Sequence, residues 1–330
     1  MLFWSLTLTG KFDYASGARV LRVEKIPWAN AQGVLSQGKK LSGSWGRRRC
    51  GEMNYPGWVQ KWLEPREVRV TYTWKDVVLY ALGIGAEAQD LDFLYEGVKG
   101  GLKVYPSFAG LLAGSVVRDF VEEQHPPRVL HGEQQVRVMA PLPPEGELLV
   151  TGRITEVFDK GKAAVIHFRS EGRSKTGEPL FDVKHVAFYL GAGGFGGAPG
   201  PKSSKIEPPQ GEEPSMRFVS RIPENQAALY RLCGDLNPLH IDPEVAQKVG
   251  FPKPILHGMC TYGYATRALI HGLCGGEVTL FKEFGARFTD VVYPGDTLIT
   301  EAWPKAHGEF FVRARTDRSV VLGNGWAIIG

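Results

Sequence analysis

Cysteine is scarce in this chain of 330 residues. Its four cysteines, Cys50, Cys233, Cys260 and Cys274, form no CxxC pair and no spacing of a disulfide framework. That points to a reducing compartment. No apolar run reaches the length of a membrane span. An excess of one charge is missing from most of the chain. Residues 1–65 carry ten basic and four acidic residues, which leaves 29 basic against 31 acidic in the remainder of a chain of net charge +4. The main body is therefore not a basic protein, and nucleic-acid binding loses its electrostatic footing. A dinucleotide loop is lacking too. GAGGFGG at 191–197 has a GxGxxG-like spacing without a strand-to-helix context, and reads as linker. What remains is ordinary for a soluble globular chain, with 43% hydrophobic and 22% charged residues. The length suits two domains.

The most informative stretch is Asp235-Leu236-Asn237-Pro238-Leu239-His240. It puts a carboxylate, an amide and an imidazole on one turn stiffened by proline. The spacing predicts a helix over 223–232 with Pro223 in its first turn and Gly234 as its stop. Asn237-Pro238 forces an extended or turn conformation. Asp242-Pro243 then predicts the cap and first residue of a second short helix, closed by Gly250. From Gly258 the chain reads GMCTYGYATRALIHGL, which predicts a buried helix. The first N–H groups of a helix have no intrahelical partner, so that of Gly258 is available to an oxygen, and a residue without Cβ permits close approach. An acid/base pair beside such a donor is what proton chemistry next to a carbonyl requires. Taken singly, Asp235 is more often a turn residue, His240 an ordinary loop histidine, and Asn237 a turn former. Asp242 reads as a cap alone. His240-x-Asp242 lacks a third ligand at metal spacing, so no metal site is expected.

The chain also carries a duplication. Tyr80-Ala81-Leu82-Gly83 compares with Tyr230-Arg231-Leu232-Cys233, and the Pro-Glu-Gly-Glu-Leu run around Gly146 with the Pro-Gly-Asp-Thr-Leu run around Gly295. Both matches have nearly one offset, as two copies of one unit require. The first copy lacks the Asp-x-Asn-Pro-x-His set, which leaves it free to hold a substrate. Thr73 and Asp76 predict a capping box for a helix through Leu82. A long helix is expected over 106–123, and strands over 133–140, 147–158, 162–171 and 180–190. The second copy places strands at 278–289, 297–304, 309–316 and 319–329. The organisation expected is a basic extension over 1–65, for which a targeting segment and a disordered tail both serve; a first domain over 66–190; a linker rich in Gly, Pro and Ser over 191–214; and a second domain over 215–330.

Tyr230…Gly234-Asp235-x-Asn237-Pro238-x-His240-x-Asp242, followed by LHGMCTYG, resembles the hydratase 2 motif of MaoC-like (R)-specific enoyl-CoA hydratases. The likeness is to the two-domain eukaryotic form, as in the hydratase part of peroxisomal multifunctional enzyme type 2 and free-standing plant relatives. It runs from about Val68 to the C-terminus. It implies an α+β double hot-dog fold, two long helices each wrapped by an antiparallel sheet. It implies reversible hydration of a trans-2-enoyl-CoA to a (3R)-3-hydroxyacyl-CoA, with Asp235, His240, Asn237 and Gly258 as catalytic residues. It implies His131, Gly132, Lys160 and Phe288 as substrate contacts, Lys160 near the coenzyme A moiety. Coenzyme A is part of the substrate, and no separate cofactor is expected. A homodimer, fatty-acid β-oxidation and a peroxisomal location are implied as well, although the chain ends Trp326-Ala327-Ile328-Ile329-Gly330 without a Ser-Lys-Leu address, and mitochondrion and cytosol stay open. Three other readings remain: the reverse dehydratase of fatty-acid synthesis, a thioesterase, and a non-catalytic acyl-CoA binder. Met259–Leu273 contains no Asp or Glu, which counts against the thioesterase.

Overall fold

The computed structural model describes residues 3–4, 22–25, 55–60, 62–124, 129–201 and 205–330. Most of the expected basic extension lies outside these residues. Two short strands in it are described, β1 (Phe3–Trp4) and β2 (Arg22–Lys25). The extension was expected to reach residue 65, but α1 (Gly57–Gln60) and Trp62 belong to the core. Trp62 meets Phe120 edge to face and Trp58 stacks obliquely on Tyr189, so aromatic burial ties this segment down.

The first unit runs β3 (Arg66–Tyr72), α2 (Trp74–Gly83), α3 (Leu91–Leu94), α4 (Phe108–Gln124), β4 (Val129–Val138), β5 (Gly146–Asp159), β6 (Ala163–Ser174) and β7 (Pro179–Leu190). The second runs β8 (Met216–Arg221), α5 (Gln226–Tyr230), α6 (Pro243–Lys248), α7 (Gly258–Leu273), β9 (Phe281–Phe288), β10 (Thr297–Pro304), β11 (Glu309–Arg315) and β12 (Val320–Ile329). The sheet order is β2-β3-β5-β6-β7-β4-β9-β12-β11-β10-β8, with β1 beside β4. Outward from the β4–β9 join, the first unit reads β4-β7-β6-β5-β3 and the second β9-β12-β11-β10-β8. Each of these ten strands thus has its counterpart, β1 and β2 standing outside the repeat, and the expected duplication holds over the two units. All pairings are antiparallel.

Each half wraps its sheet around one long helix, α4 or α7, as the double hot-dog requires. Helix α7 has eleven buried residues, with Arg267 and Thr266 among them. These eleven are consecutive, so every face of the helix is covered. The hydroxyl of Tyr262 donates to the carbonyl of Phe284 at 2.6 Å, and that of Thr266 to the carbonyl of Tyr262 at 2.9 Å, so these two buried hydroxyls are partnered. The two units lock at the C-terminal end of α2. Gln226 donates its amide to the carbonyls of Leu82 and Gly83, and the Cys260 thiol donates to that of Gly83. Those carbonyls have no intrahelical partner.

The capping box at Thr73 and Asp76 is present, as expected. The helix expected over 223–232 is shorter. Pro223 to Gln226 forms a turn, the α-helix begins at Gln226, and Arg231–Cys233 tightens to 3-10 geometry before Gly234 reverses the chain at φ 117°. The strand expected from 133 begins at Val129. Residues 191–197 do wrap an anion, but it is the chain's own. The backbone N–H groups of Gly194 and Gly196 donate to the Asp159 carboxylate at 2.8 Å, together with that of Gly161.

Candidate active site

The loop between α5 and α6 is built from short local hydrogen bonds. The backbone N–H of Asn237 donates to the Asp235 carboxylate at 3.2 Å. The Asn237 side-chain oxygen caps the next turn by accepting from the N–H of Leu239 at 3.0 Å. Pro238 stands at the first position of that 3-10 turn, which ends on His240. The Asp242 carboxylate caps α6, accepting from Glu244 and Val245. Asn237 therefore orders its neighbours, and Asp242 is a cap, as the sequence indicates.

His240 is buried, and its Nδ1 lies 2.9 Å from the carbonyl oxygen of Ile255. A carbonyl only accepts, so Nδ1 carries the proton and Nε2 keeps its lone pair. His257 is fully buried and donates from Nε2 to the Asp235 carbonyl at 3.1 Å. The two rings lie 3.9 Å apart at 31°. Burial pushes the His240 imidazole below its ordinary 6.5, with the nearby Asp235 carboxylate opposing the shift. Burial, and then the neighbouring His240, push His257 well below the same value. Both rings are neutral at pH 7.

Ligating atoms of Asp235, His240 and His257 lie within 4.8 Å of one another. One water spans a gap of that size. Three such donors are also a count that a metal takes.

Gly258 opens α7, directly after His257. A Cβ there would stand 3.3 Å from the Phe288 ring. The start of α7 thus lies against Phe288, and His257 ties it to the Asp235 loop. Asp235, Tyr230 and Met259 line a narrow cleft of about 60 Å³, closed on its far side by α4 at Gly110, Gly114 and Val117. An open groove of about 680 Å³ runs over the sheet, lined by Gly132, Lys160, Phe288 and others. His131 lines both, and its ring lies 4.5 Å from that of Phe288. All four substrate-binding residues expected from the sequence therefore border one groove. Lys160 is exposed on the turn after β5 and makes no ion pair among the described residues. Arg287, in the same groove, is paired with Glu133 at 2.9 Å.

Sequence reasoning missed Gln134 and His185, which line the cleft beside His131. Gln134 stands three residues after His131, a spacing that puts them on opposite faces of a regular strand. A bulge at Gly132 removes that objection. His131 pairs Ala187 and Glu133 pairs Val186, so one extra residue sits between them and reverses the alternation. A Cβ at position 132 would lie 2.3 Å from the Phe188 ring, so the bulge needs glycine.

Comparison with known proteins agrees with this architecture. The family profile described as "MaoC like domain" matches residues 204–322, and that described as "MFE-2 hydratase 2 N-terminal domain" matches residues 70–191. A Dictyostelium discoideum protein named probable enoyl-CoA hydratase 2 is 37% identical over 277 residues, covering 81% of this chain and 93% of its own. The Arabidopsis thaliana protein named enoyl-CoA hydratase 2, peroxisomal, is 39% identical over 260 residues, covering 72% and 83%. Among solved structures, a MaoC-like dehydratase from Phytophthora capsici superposes with a TM-score of 0.74 at 30% identity, covering 82% of this chain and 97% of its own. The full-length peroxisomal multifunctional enzyme type 2 of Drosophila melanogaster gives 0.69 at 32% identity, over 81% of this chain and 48% of its own. Two consecutive profiles, one per structural unit, with these relatives, place the chain in the MaoC-like hydratase 2 family of double hot-dog hydro-lyases.

Proposed function

We propose that this protein is an (R)-specific 2-enoyl-CoA hydratase, adding water reversibly to a trans-2-enoyl-CoA to give a (3R)-3-hydroxyacyl-CoA. The observation that carries the reading is the pairing of the Asp235 carboxylate with the neutral His240, within one water's span, beside the start of α7. Water's oxygen bonds to C3 as the C2–C3 π bond opens. Negative charge moves onto the thioester oxygen, and a proton joins C2. Gly258 N–H faces that oxygen, where one such donor contributes about 10²–10³ in rate. Asp235 and His240 together take the proton from water and return one to C2. With both on the same side of the substrate, addition is syn. Asn237 keeps Asp235 and the turn in register.

Coenzyme A lies along the groove of Lys160, Gly132, His131 and Phe288, and the acyl chain enters the cleft under α4. The first unit binds and does not catalyse. No group beyond the substrate's own coenzyme A is required by these steps. The relative of 39% identity named 3-hydroxyacyl-thioester dehydratase Y, from Mycobacterium tuberculosis, supports the same site working in the reverse direction. Relatives named peroxisomal support a peroxisomal role in β-oxidation, and we propose a homodimer as the working form.

Incubation with trans-2-decenoyl-CoA, followed by loss of the enoyl absorbance and chiral resolution of the product, tests the reading. The (3R)-hydroxyacyl-CoA is expected. Release of free CoA would replace hydratase with thioesterase, and binding without turnover would leave an acyl-CoA binder.

A further inference from the structure

We infer that Gln134, with His131 and His185, forms a hydrogen-bonding site in the acyl cleft for a neutral oxygen function on the acyl chain, a hydroxyl or oxo group. This rests on the hydratase reading, in which the cleft beside Asp235 receives the acyl chain. The oxygen of the Gln134 amide accepts from His131 Nε2 at 3.1 Å and from His185 Nδ1 at 3.3 Å. Gln134 is 2% exposed, and its Nε2 has no partner. If the amide is turned end for end, its oxygen is the orphan instead. Either way, one end of a buried amide is left unmet, an arrangement proteins rarely keep without a ligand or water to meet it.

The surroundings keep that end uncovered. Gln134 and His185 face each other as a cross-strand pair of β4 and β7, and the Gly132 bulge brings His131 to the same side. Across the cleft stands Gly110 of α4. A Cβ there would come within 3.6 Å of Gln134 Nε2, so glycine leaves the amide open where any side chain would cover it. Leu111, Val117, Val129 and Met259 line the cleft with apolar surface, while its remaining polar lining, Arg118, Tyr230 and Asp235, belongs to the side of the Asp235 loop, Arg118 reaching toward Gly234. A plain alkyl chain would fill the cleft and leave the amide unmet. A chain bearing oxygen just beyond the reacting carbons meets it. Burial holds both imidazoles neutral, His185 down at about 4, so this wall of the cleft presents dipoles without charge and suits a hydroxyl or carbonyl.

The test compares trans-2-decenoyl-CoA with analogues carrying one hydroxyl walked outward from C5. Wild type is expected to hydrate one analogue with a kcat/KM at least about tenfold above that of the plain chain, since sites built to hydrogen-bond a substrate group discriminate strongly. Gln134→Leu should abolish that ratio. His185→Phe, which keeps the ring stack and loses the donor, should lower it if the first variant fails to fold. Calorimetry with the matching saturated acyl-CoAs reads the same preference without turnover. Hydration of every substrate at one efficiency, or a Gln134→Leu variant that lowers all of them equally, overturns the inference and leaves the hydratase reading standing. Absence of hydration with any substrate overturns the hydratase reading, and the calorimetric preference then decides on the site alone.

Discussion

At the scale of single residues the chemistry depends on which nitrogen of each histidine is occupied. Ile255 fixes the tautomer of His240 through a 2.9 Å bond, leaving Nε2 with its lone pair for the role of base proposed above. His240→Gln and Asp235→Asn are each expected to lower kcat by about 10²–10⁴, measured on the enoyl absorbance, with the substrate's KM changed far less. A base must be deprotonated to act. Because burial depresses His240 below 6.5, the acid limb of the kcat profile should lie below the pH at which free imidazole titrates. A limb at or above pH 6.5 would assign the base elsewhere. Gly258 makes a steric prediction. Gly258→Ala keeps the N–H but sets a Cβ 3.3 Å from Phe288, so kcat/KM should fall about tenfold, and Phe288→Leu in the same chain should restore part of it. Equal losses in the single and double variants would count against steric crowding as the cause.

At the scale of elements, α7 is anchored through an ion pair far from the chemistry. Arg267 reaches the Asp90 carboxylate at 3.0 Å, with their side chains 4% and 6% exposed. Tyr105 OH lies 2.8 Å from His271 Nε2, and His271 in turn lies 3.6 Å from Asp90. The segment before α3 is thereby clamped to the helix that carries Gly258. Arg267→Met takes the arginine away from a buried carboxylate and leaves it only the Glu87 N–H and His271, and should destabilise the protein by about 3–5 kcal/mol in urea unfolding. Adding Asp90→Leu should recover most of that loss, because two apolar groups need no partners. If the double variant is no more stable than the single, loss of packing rather than an uncompensated charge explains the effect. Element ends were the least legible part of the sequence. The helix expected from Pro223 starts at Gln226, because Pro223 closes a turn onto Gln226 instead of a helical one. The strand starting at Val129 was set four residues late because Gly132 breaks its alternation.

At the scale of the whole molecule, neutral buried histidines make stability depend on pH. Burial lowers His131, His185, His240 and His257 from 6.5, His185 to about 4. As pH falls through 6.5 the unfolded chain takes up these protons and the folded protein does not. Stability is therefore full above that pH and declines below it, by about 1.4 kcal/mol per pH unit for each histidine that stays neutral when folded. The decline continues for His185 until its folded value near 4. Urea midpoints measured from pH 7.5 to 5 should fall steadily below 6.5. A flat profile would mean that these rings protonate in place.

The sequence by itself determined the loop of Asp235 and His240, the start of α7, the capping box and the repeat. Each of these is local or periodic: short spacings set turns and caps, and one offset sets two copies. Tertiary structure alone decided what lies opposite the loop. The β4–β9 join and the packing of α4 over Asp235 bring residues a hundred positions apart into one cleft. The tautomer of His240 depends on Ile255, across an intervening helix. The polar wall of Gln134 and His185 exists because one bulged residue reverses a strand's faces, and side-chain alternation read along a single strand carries no sign of that reversal.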